Sequence, residues 1–298
     1  MIFVNGATDT PGCIAGAVAS GSITYGRASA LCAVGNFFGT VISCTAFPQV
    51  ARTVASLAVL PYECIAASLL SAIVFSSVAW MLGIPTSESH GLIASLGGAA
   101  LFLHGKTGIG FGRVIFFSFI SCVLGAVVGF FSMLAIRRKF GVRKYSAHLA
   151  FSAFAMSFCH GAQDGQKFAA ILALAVSGGG LTTGSVLISA LLLGLGCFFG
   201  GRKMINKLGG ELAGAFCSAE ALASDSAAFA CCVSSSLLGI PVSTTYMKTF
   251  AMIGAARAEG RKSDRKTLSE LIVTWVLTYP VCMTLSFVLC AAVSGFAC

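Results

Sequence analysis

Two pairs of short polar stretches interrupt an otherwise apolar chain, and their residue types are those of ion binding. Asn5-Gly6-Ala7-Thr8-Asp9 aligns with His160-Gly161-Ala162-Gln163-Asp164 at an offset of 155 positions. A carboxylate inside a membrane segment is costly unless paired. Two of them at matched places predict one shared cation site at Asp9 and Asp164, with Asn5 and Gln163 as neighbouring carboxamides. The second pair is Gly83-Ile84-Pro85-Thr86-Ser87 and Gly239-Ile240-Pro241-Val242-Ser243, offset by 156. Proline suits a first helical turn and Ser or Thr suits the cap, so both read as helix starts. The free N–H groups of a helix start bind anions. With the hydroxyls of Thr86, Ser87 and Ser89 on one side and Ser243, Thr244 and Thr245 on the other, two facing starts would cradle a tetrahedral oxyanion.

The elements that must position these residues are membrane helices. Of 298 residues, 57% are hydrophobic and 10% charged, and mean hydropathy is +0.92. So few charges cannot cover a water-soluble protein, which excludes a secreted disulfide scaffold, a nucleic-acid-binding domain and a disordered chain. Ten apolar segments are expected, at 1–20, 28–47, 62–82, 85–104, 111–136, 146–177, 183–200, 214–238, 242–256 and 268–296. The fourth and ninth start polar and read as full spans or re-entrant hairpins. The matched motifs divide the chain into two repeats of five segments. An odd number inserts the second copy upside down, so the fold class is an all-α polytopic membrane protein. It has two inverted-topology repeats, with broken or re-entrant helices at the midplane. The first repeat is 1–136, a basic cytoplasmic linker follows at 137–145, and the second repeat is 146–298. The first segment turns polar after Val4, so either a further apolar stretch is expected upstream of Met1 or the start of the chain is assigned late. Gly125 and Gly129, four apart, predict close helix approach. The 13 cysteines show no metal-ligand spacing and read as reduced packing residues.

Basic residues orient the chain. Simple alternation puts 14 on one side: Arg27, Arg137-Arg138-Lys139, Arg143-Lys144, Arg202-Lys203, Lys207, Arg257, Arg261-Lys262 and Arg265-Lys266. Three, Arg52, Lys106 and Arg113, fall on the other. The positive-inside rule then makes the linker cytoplasmic and both termini extracellular, in a plasma membrane.

The motifs resemble those of the PiT inorganic phosphate transporters, whose halves carry GANDxxN, or HGANDxQK in the second, followed by P-x-S-x-[ST]-H. Here His160-Gly161-Ala162-Gln163-Asp164-Gly165-Gln166-Lys167 and Pro85-Thr86-Ser87-Glu88-Ser89-His90 carry the likeness. The resemblance spans essentially the whole chain. It implies a phosphate permease driven by sodium or protons. Gln166 would join the phosphate ligands, and the coupling ion, sodium in one reading, would sit at Asp9 and Asp164. Three departures bear on this: Gly12 and Gln163 stand where the pattern has asparagine, and Tyr246 where it has histidine. A permease for another oxyanion such as sulfate stays open. An intramembrane aspartyl enzyme is the remote alternative, since an aspartyl dyad needs neither paired helix starts nor inverted repeats. The expected partners are inorganic phosphate, sodium or protons, and the lipid bilayer, with a second copy of the chain as a candidate and nucleic acid excluded. No catalytic residue and no cofactor beyond the coupling ion is expected.

Several single residues have two readings. Lys167 either balances Asp164 or snorkels to the interface. Glu63, Glu220 and Asp225 read as pathway or as interfacial residues. His104 and His148 read as interfacial, and Trp80 and Trp275 as interface anchors.

Overall fold

The computed structural model describes residues 1–57, 59–82, 84, 86–107, 109–139, 146–200, 205, 217–261 and 265–296. Among them the regular elements are all helical. The first half contains α1 (Ile2–Ala19), α2 (Tyr25–Ala46), α3 (Gln49–Leu57), α4 (Tyr62–Met81), α5 (Glu88–His104) and α6 (Ile109–Lys139). The second contains α7 (Ser146–His160), α8 (Gln166–Ser177), α9 (Thr183–Phe199), α10 (Ser218–Leu237), α11 (Thr244–Ala258) and α12 (Arg265–Phe296). Each of the ten expected apolar segments is helical over most of its length. The short α3, rich in polar residues, was not foreseen.

Four helices, at Tyr25–Ala46, Tyr62–Met81, Gly110–Arg137 and Leu268–Ser294, are long and apolar enough to cross a membrane. They expose Phe38, Val74, Phe116, Val123, Val276 and Val288 on their outer faces, the surface that a lipid solvent requires. The helices inside this shell are different. In α5 every residue from Glu88 to Ala100 is buried. In α11 every residue from Thr244 to Ala256 except Phe250 is buried. A helix covered all round has its polar residues facing protein, which is where a membrane protein can keep them.

Helices of the two halves correspond. α4 and α10 start and end 156 positions apart, and α5 and α6 start 156 before α11 and α12. The contacts correspond as well. α5 packs on α4 and α12, while α11 packs on α10 and α6, so the last helix of each half covers the inner helix of the other. Glycine makes these crossings close. A Cβ on Gly98 would stand 2.1 Å from the Met283 carbonyl oxygen, and one on Gly254 would stand 2.0 Å from that of Ala126. Gly125 and Gly129 meet the Met247 and Ala251 carbonyls in the same way, as their spacing predicts.

The motif stretches are wound differently from the expected breaks. Asn5–Gly12 lies inside the uninterrupted α1. In the second half, Gly161–Gly165 forms a single π turn joining α7 to α8. The π turn has a local cause. α2 presses its Asn36 backbone against Gly161 and its Thr40 side chain against Gly165, where no Cβ would fit. The Thr40 hydroxyl donates to the Gly161 carbonyl at 3.2 Å, satisfying a group that the wider turn carries outward. Such turns concentrate at functional sites.

Ends of several helices collect on one face. Ser22, after α1, bonds Ser218 at the start of α10. Tyr25, opening α2, donates to the carbonyl of Gly200 at the end of α9. Arg137, near the end of α6, pairs with Glu259 beyond α11 at 3.8 Å, and Arg261 pairs with Glu220 of α10. This is the face that gathers Arg27, Arg137, Arg257 and Arg261. Of the other cluster residues, Arg143, Lys144, Arg202, Lys203, Lys207 and Lys262 lie outside the described residues.

Candidate functional site

The two aspartates meet. Asn5, on α1, donates one amide group to both, at 2.9 Å to Asp9 Oδ2 and 3.0 Å to Asp164 Oδ2. His160 Nε2 lies 3.6 Å from Asp9 Oδ2 and 3.3 Å from Asp164 Oδ2. The other His160 nitrogen is held at 2.5 Å by Asn36 Oδ1, an orienting residue on α2 that motif spacing did not reveal. All five side chains are buried. The ring nitrogen and the carboxylates are close enough together for one metal ion to bridge them.

The surroundings of the two carboxylates differ. Asp164 Oδ1 receives the Lys167 ammonium at 2.6 Å and the Ser89 hydroxyl at 2.9 Å. Lys167 also donates to Ser89 Oγ and to the Val242 carbonyl. It is fully buried and balances Asp164; it does not snorkel. Gly12 stands at the matching place in α1, so Asp9 has no lysine of its own. Asp9 Oδ1 and Asn5 Oδ1 are buried and without a hydrogen-bond partner. Leaving such acceptors unmet is costly, so this half of the site fits a small cation.

Both expected helix starts are present. Ser87 caps α5, its oxygen accepting from the His90 amide at 3.3 Å, and Ser243 caps α11 by accepting from the Tyr246 amide at 3.3 Å. Pro85 lies outside the described residues. The hydroxyls of Thr86, Thr244 and Thr245 are buried and unpartnered. Thr245 backs onto α1, where a Cβ on Gly12 would stand 3.3 Å from its Cα. The start of α11 is thus seated directly against the helix that carries Asp9, while Ser89 of α5 touches Asp164. Gln163 ties the π turn to the approach of α11, donating to Ser235 Oγ at 2.8 Å and accepting from the Val242 amide at 3.4 Å. Gln166 points elsewhere. Its amide bonds the Ala162 carbonyl and the backbone of Ala51 in α3.

Two further features were missed or misplaced by sequence reasoning. Glu88 brings a third buried carboxyl to the start of α5, one oxygen bonded by Ser76 and the other unpartnered. Its place inside the P-T-S-E-S-H stretch was the available signal. Trp275 is no interface anchor. It is buried, 4.0 Å from the ring of Tyr246 and 5.1 Å from that of Phe250, because α12 wraps the inner helices. Trp80, His104 and His148 are exposed as expected, and Glu63, read as pathway or interfacial, is exposed as well. Asp225 and Glu220 are buried in ion pairs with Lys248 and Arg261.

Comparison with known proteins gives a consistent answer. A family model described as the phosphate transporter family matches residues 5–148 and 138–286. A probable low-affinity inorganic phosphate transporter of Bacillus subtilis (strain 168) is 28% identical over 95% of this chain and 91% of its own length. A protein of the same description from Mycobacterium tuberculosis (strain ATCC 25618 / H37Rv) is 29% identical over 94% of this chain and 72% of its own. The solved structure of a sodium-dependent phosphate transporter superposes with a TM-score of 0.82 over 99% of this chain and 96% of that one, at 20% identity. The likeness establishes the fold, and the relatives are transporters, not enzymes.

Proposed function

The chain belongs to the phosphate transporter family, and from that premise we propose that it is a multi-pass secondary transporter carrying inorganic phosphate across the membrane together with a cation. The observation that carries this reading is the junction of Asp9, Asn5 and Asp164 with the starts of α5 and α11. The cation takes the unpartnered oxygens of Asp9 and Asn5. Phosphate lies between the two helix starts, where backbone N–H groups and the hydroxyls of Thr86, Ser87, Ser243, Thr244 and Thr245 donate to it. Ser89 links the subsites, touching Asp164 and Lys167. A dianion and a cation in one buried site lower each other's desolvation cost, and this is the physical basis of coupling.

Sodium is the favoured coupling ion. The ligands on offer are carboxylate and carbonyl oxygens, which suit a hard cation, and the superposed structure is titled sodium-dependent. Alternating access follows from the crossed packing. α5 and α11 are each held between helices of both halves, so rocking one half against the other changes which end of the cradle is open.

The test is uptake of labelled phosphate into proteoliposomes with sodium and proton gradients imposed separately. A sodium gradient is expected to drive uptake, and excess sulfate is expected to leave it unchanged. Uptake that follows neither gradient, or that sulfate suppresses as well as unlabelled phosphate does, overturns the reading.

A further inference from the structure

A second buried ion cluster lies beside the proposed site and has no part in it so far. Lys248 of α11 is fully buried, donating to Ser224 Oγ at 2.6 Å and pairing with Asp225, both of α10. Asp225 also accepts from Ser152 of α7 at 2.6 Å. Lys248 is one turn beyond Thr244 on the cradle helix, about 6 Å along its axis. Its ammonium reaches α1, lying 4.0 Å from where a Cβ on Gly16 would stand. Gly16 is on the Asp9 face of α1, about 10 Å further along. Beyond this cluster comes the Arg261–Glu220 pair, whose arginine is partly exposed on the basic face. Acidic and basic groups thus run from Asp9 and Asp164 toward that face.

The first half supplies the comparison. With α4 and α10, and α5 and α11, offset by 156 positions, Asp225 corresponds to Leu69 and Lys248 to Leu92. Leu92 is buried, and Leu69 packs against the same apolar cluster. The helix pair is therefore filled by leucines in one half and by an ion pair in the other. A buried ion pair is often no more stabilising than apolar residues of like volume, and intramembrane ion pairs mark transport paths.

We propose that Lys248 is a second anion-binding station on the route between the midplane site and the basic face, with Asp225 as the counter-ion it releases when phosphate arrives. This rests on phosphate being the substrate. In the arrangement seen here Asp225 and Ser224 satisfy the ammonium. When phosphate leaves the cradle toward the basic face, Lys248 exchanges the carboxylate for the phosphate oxygens. The ligand class is a phosphate anion, recognised by an ammonium and hydroxyls.

The experiment compares wild type with the double variant Lys248→Leu/Asp225→Leu, which copies the matched leucines, and with Lys248→Gln/Asp225→Asn as a hydrogen-bonding alternative should the first not fold. Thermal unfolding, equilibrium phosphate binding and proteoliposome uptake are measured for each. A folded double variant that binds phosphate within twofold of wild type but transports it at least 10-fold more slowly supports the station. Wild-type uptake by a folded double variant overturns it, and so does failure of both variants to fold, which would make the pair structural. Failure of the wild type itself to bind or move phosphate would instead count against the substrate assignment.

Discussion

Asp9 and Asp164 occupy matched positions and share His160, yet only Asp164 has a lysine beside it, and that difference predicts different mutants. In Asp164→Asn, Lys167 keeps Ser89 and the Val242 carbonyl but loses its carboxylate. Breaking one partner of a buried pair costs roughly 3–5 kcal/mol, so this variant is expected to melt at a clearly lower temperature as well as to lose uptake. Asp9→Asn removes a carboxylate with no lysine attached. It is expected to abolish cation-coupled uptake with a much smaller change in melting temperature. Parallel melts and uptake assays at equal membrane expression check both; normal uptake by Asp9→Asn would remove Asp9 from the cation site. A related asymmetry concerns what the sequence made legible. The aspartates, Asn5 and the hydroxyls could be named because motif spacing brings them to matched positions. Asn36 could not, because a single amide in the apolar α2 carries no pattern until α7 is packed against it. Glu88 was visible in the motif, but its burial depends on Ser76 in α4.

The helix starts and the helix crossings are the parts of the fold whose chemistry can be tested at the level of elements. Ser87 and Ser243 each accept a hydrogen bond from their own helix, and each hydroxyl still has a proton to donate. As caps alone, their loss would cost about 1 kcal/mol of stability and leave affinity unchanged. As caps that also donate to a phosphate anion, they contribute about 1.5–3 kcal/mol of binding, a factor of roughly 10 to 150. Ser→Ala at either position is expected to weaken phosphate binding by that factor, read by equilibrium binding beside a thermal melt. The crossings predict stability. Gly98→Ala and Gly254→Ala push a methyl against a facing carbonyl, which neither backbone can yield cheaply, and overpacking of this kind costs about 1–3 kcal/mol or more. Gly112 of α6 has open space around it, so Gly112→Ala should be neutral or stabilising by up to about 1 kcal/mol. Equal melting temperatures for Gly98→Ala and Gly112→Ala would mean that the close α5–α12 contact is wrongly placed. At this scale the sequence was informative about helix existence and less so about winding. Polar residues inside an apolar run signalled interruption, yet α1 continues through Asn5–Gly12 and the second motif becomes a π turn, an outcome decided by the pressure of α2 on Gly161 and Gly165.

For the whole molecule, the question is which face meets the cytoplasm. Alternation of segments assigned 14 basic residues to one side, but that count holds only if every segment crosses once. The structure bears on this independently of the count. Bonds between Ser22 and Ser218, Tyr25 and Gly200, Arg137 and Glu259, and Arg261 and Glu220 bring together the chain after α1, α6, α9 and α11. Those are the connections to which alternation assigned the basic clusters. The short α3 lies elsewhere, against α8, and adds no crossing. Charges gathered on one face by tertiary contacts give a positive-inside signal that no longer depends on segment counting. The expected result is that this face is cytoplasmic, so that phosphate moving inward passes from the cradle past Lys248 and Arg261. A protease site inserted at Gly141, between the end of α6 and the start of α7, reads the orientation without disturbing the 13 native cysteines. Cleavage is expected in inside-out vesicles and not in intact cells. Cleavage from outside intact cells would reverse the topology, and the row from Asp9 through Lys248 to Arg261 would then be the entry path for phosphate, with release on the side of α3.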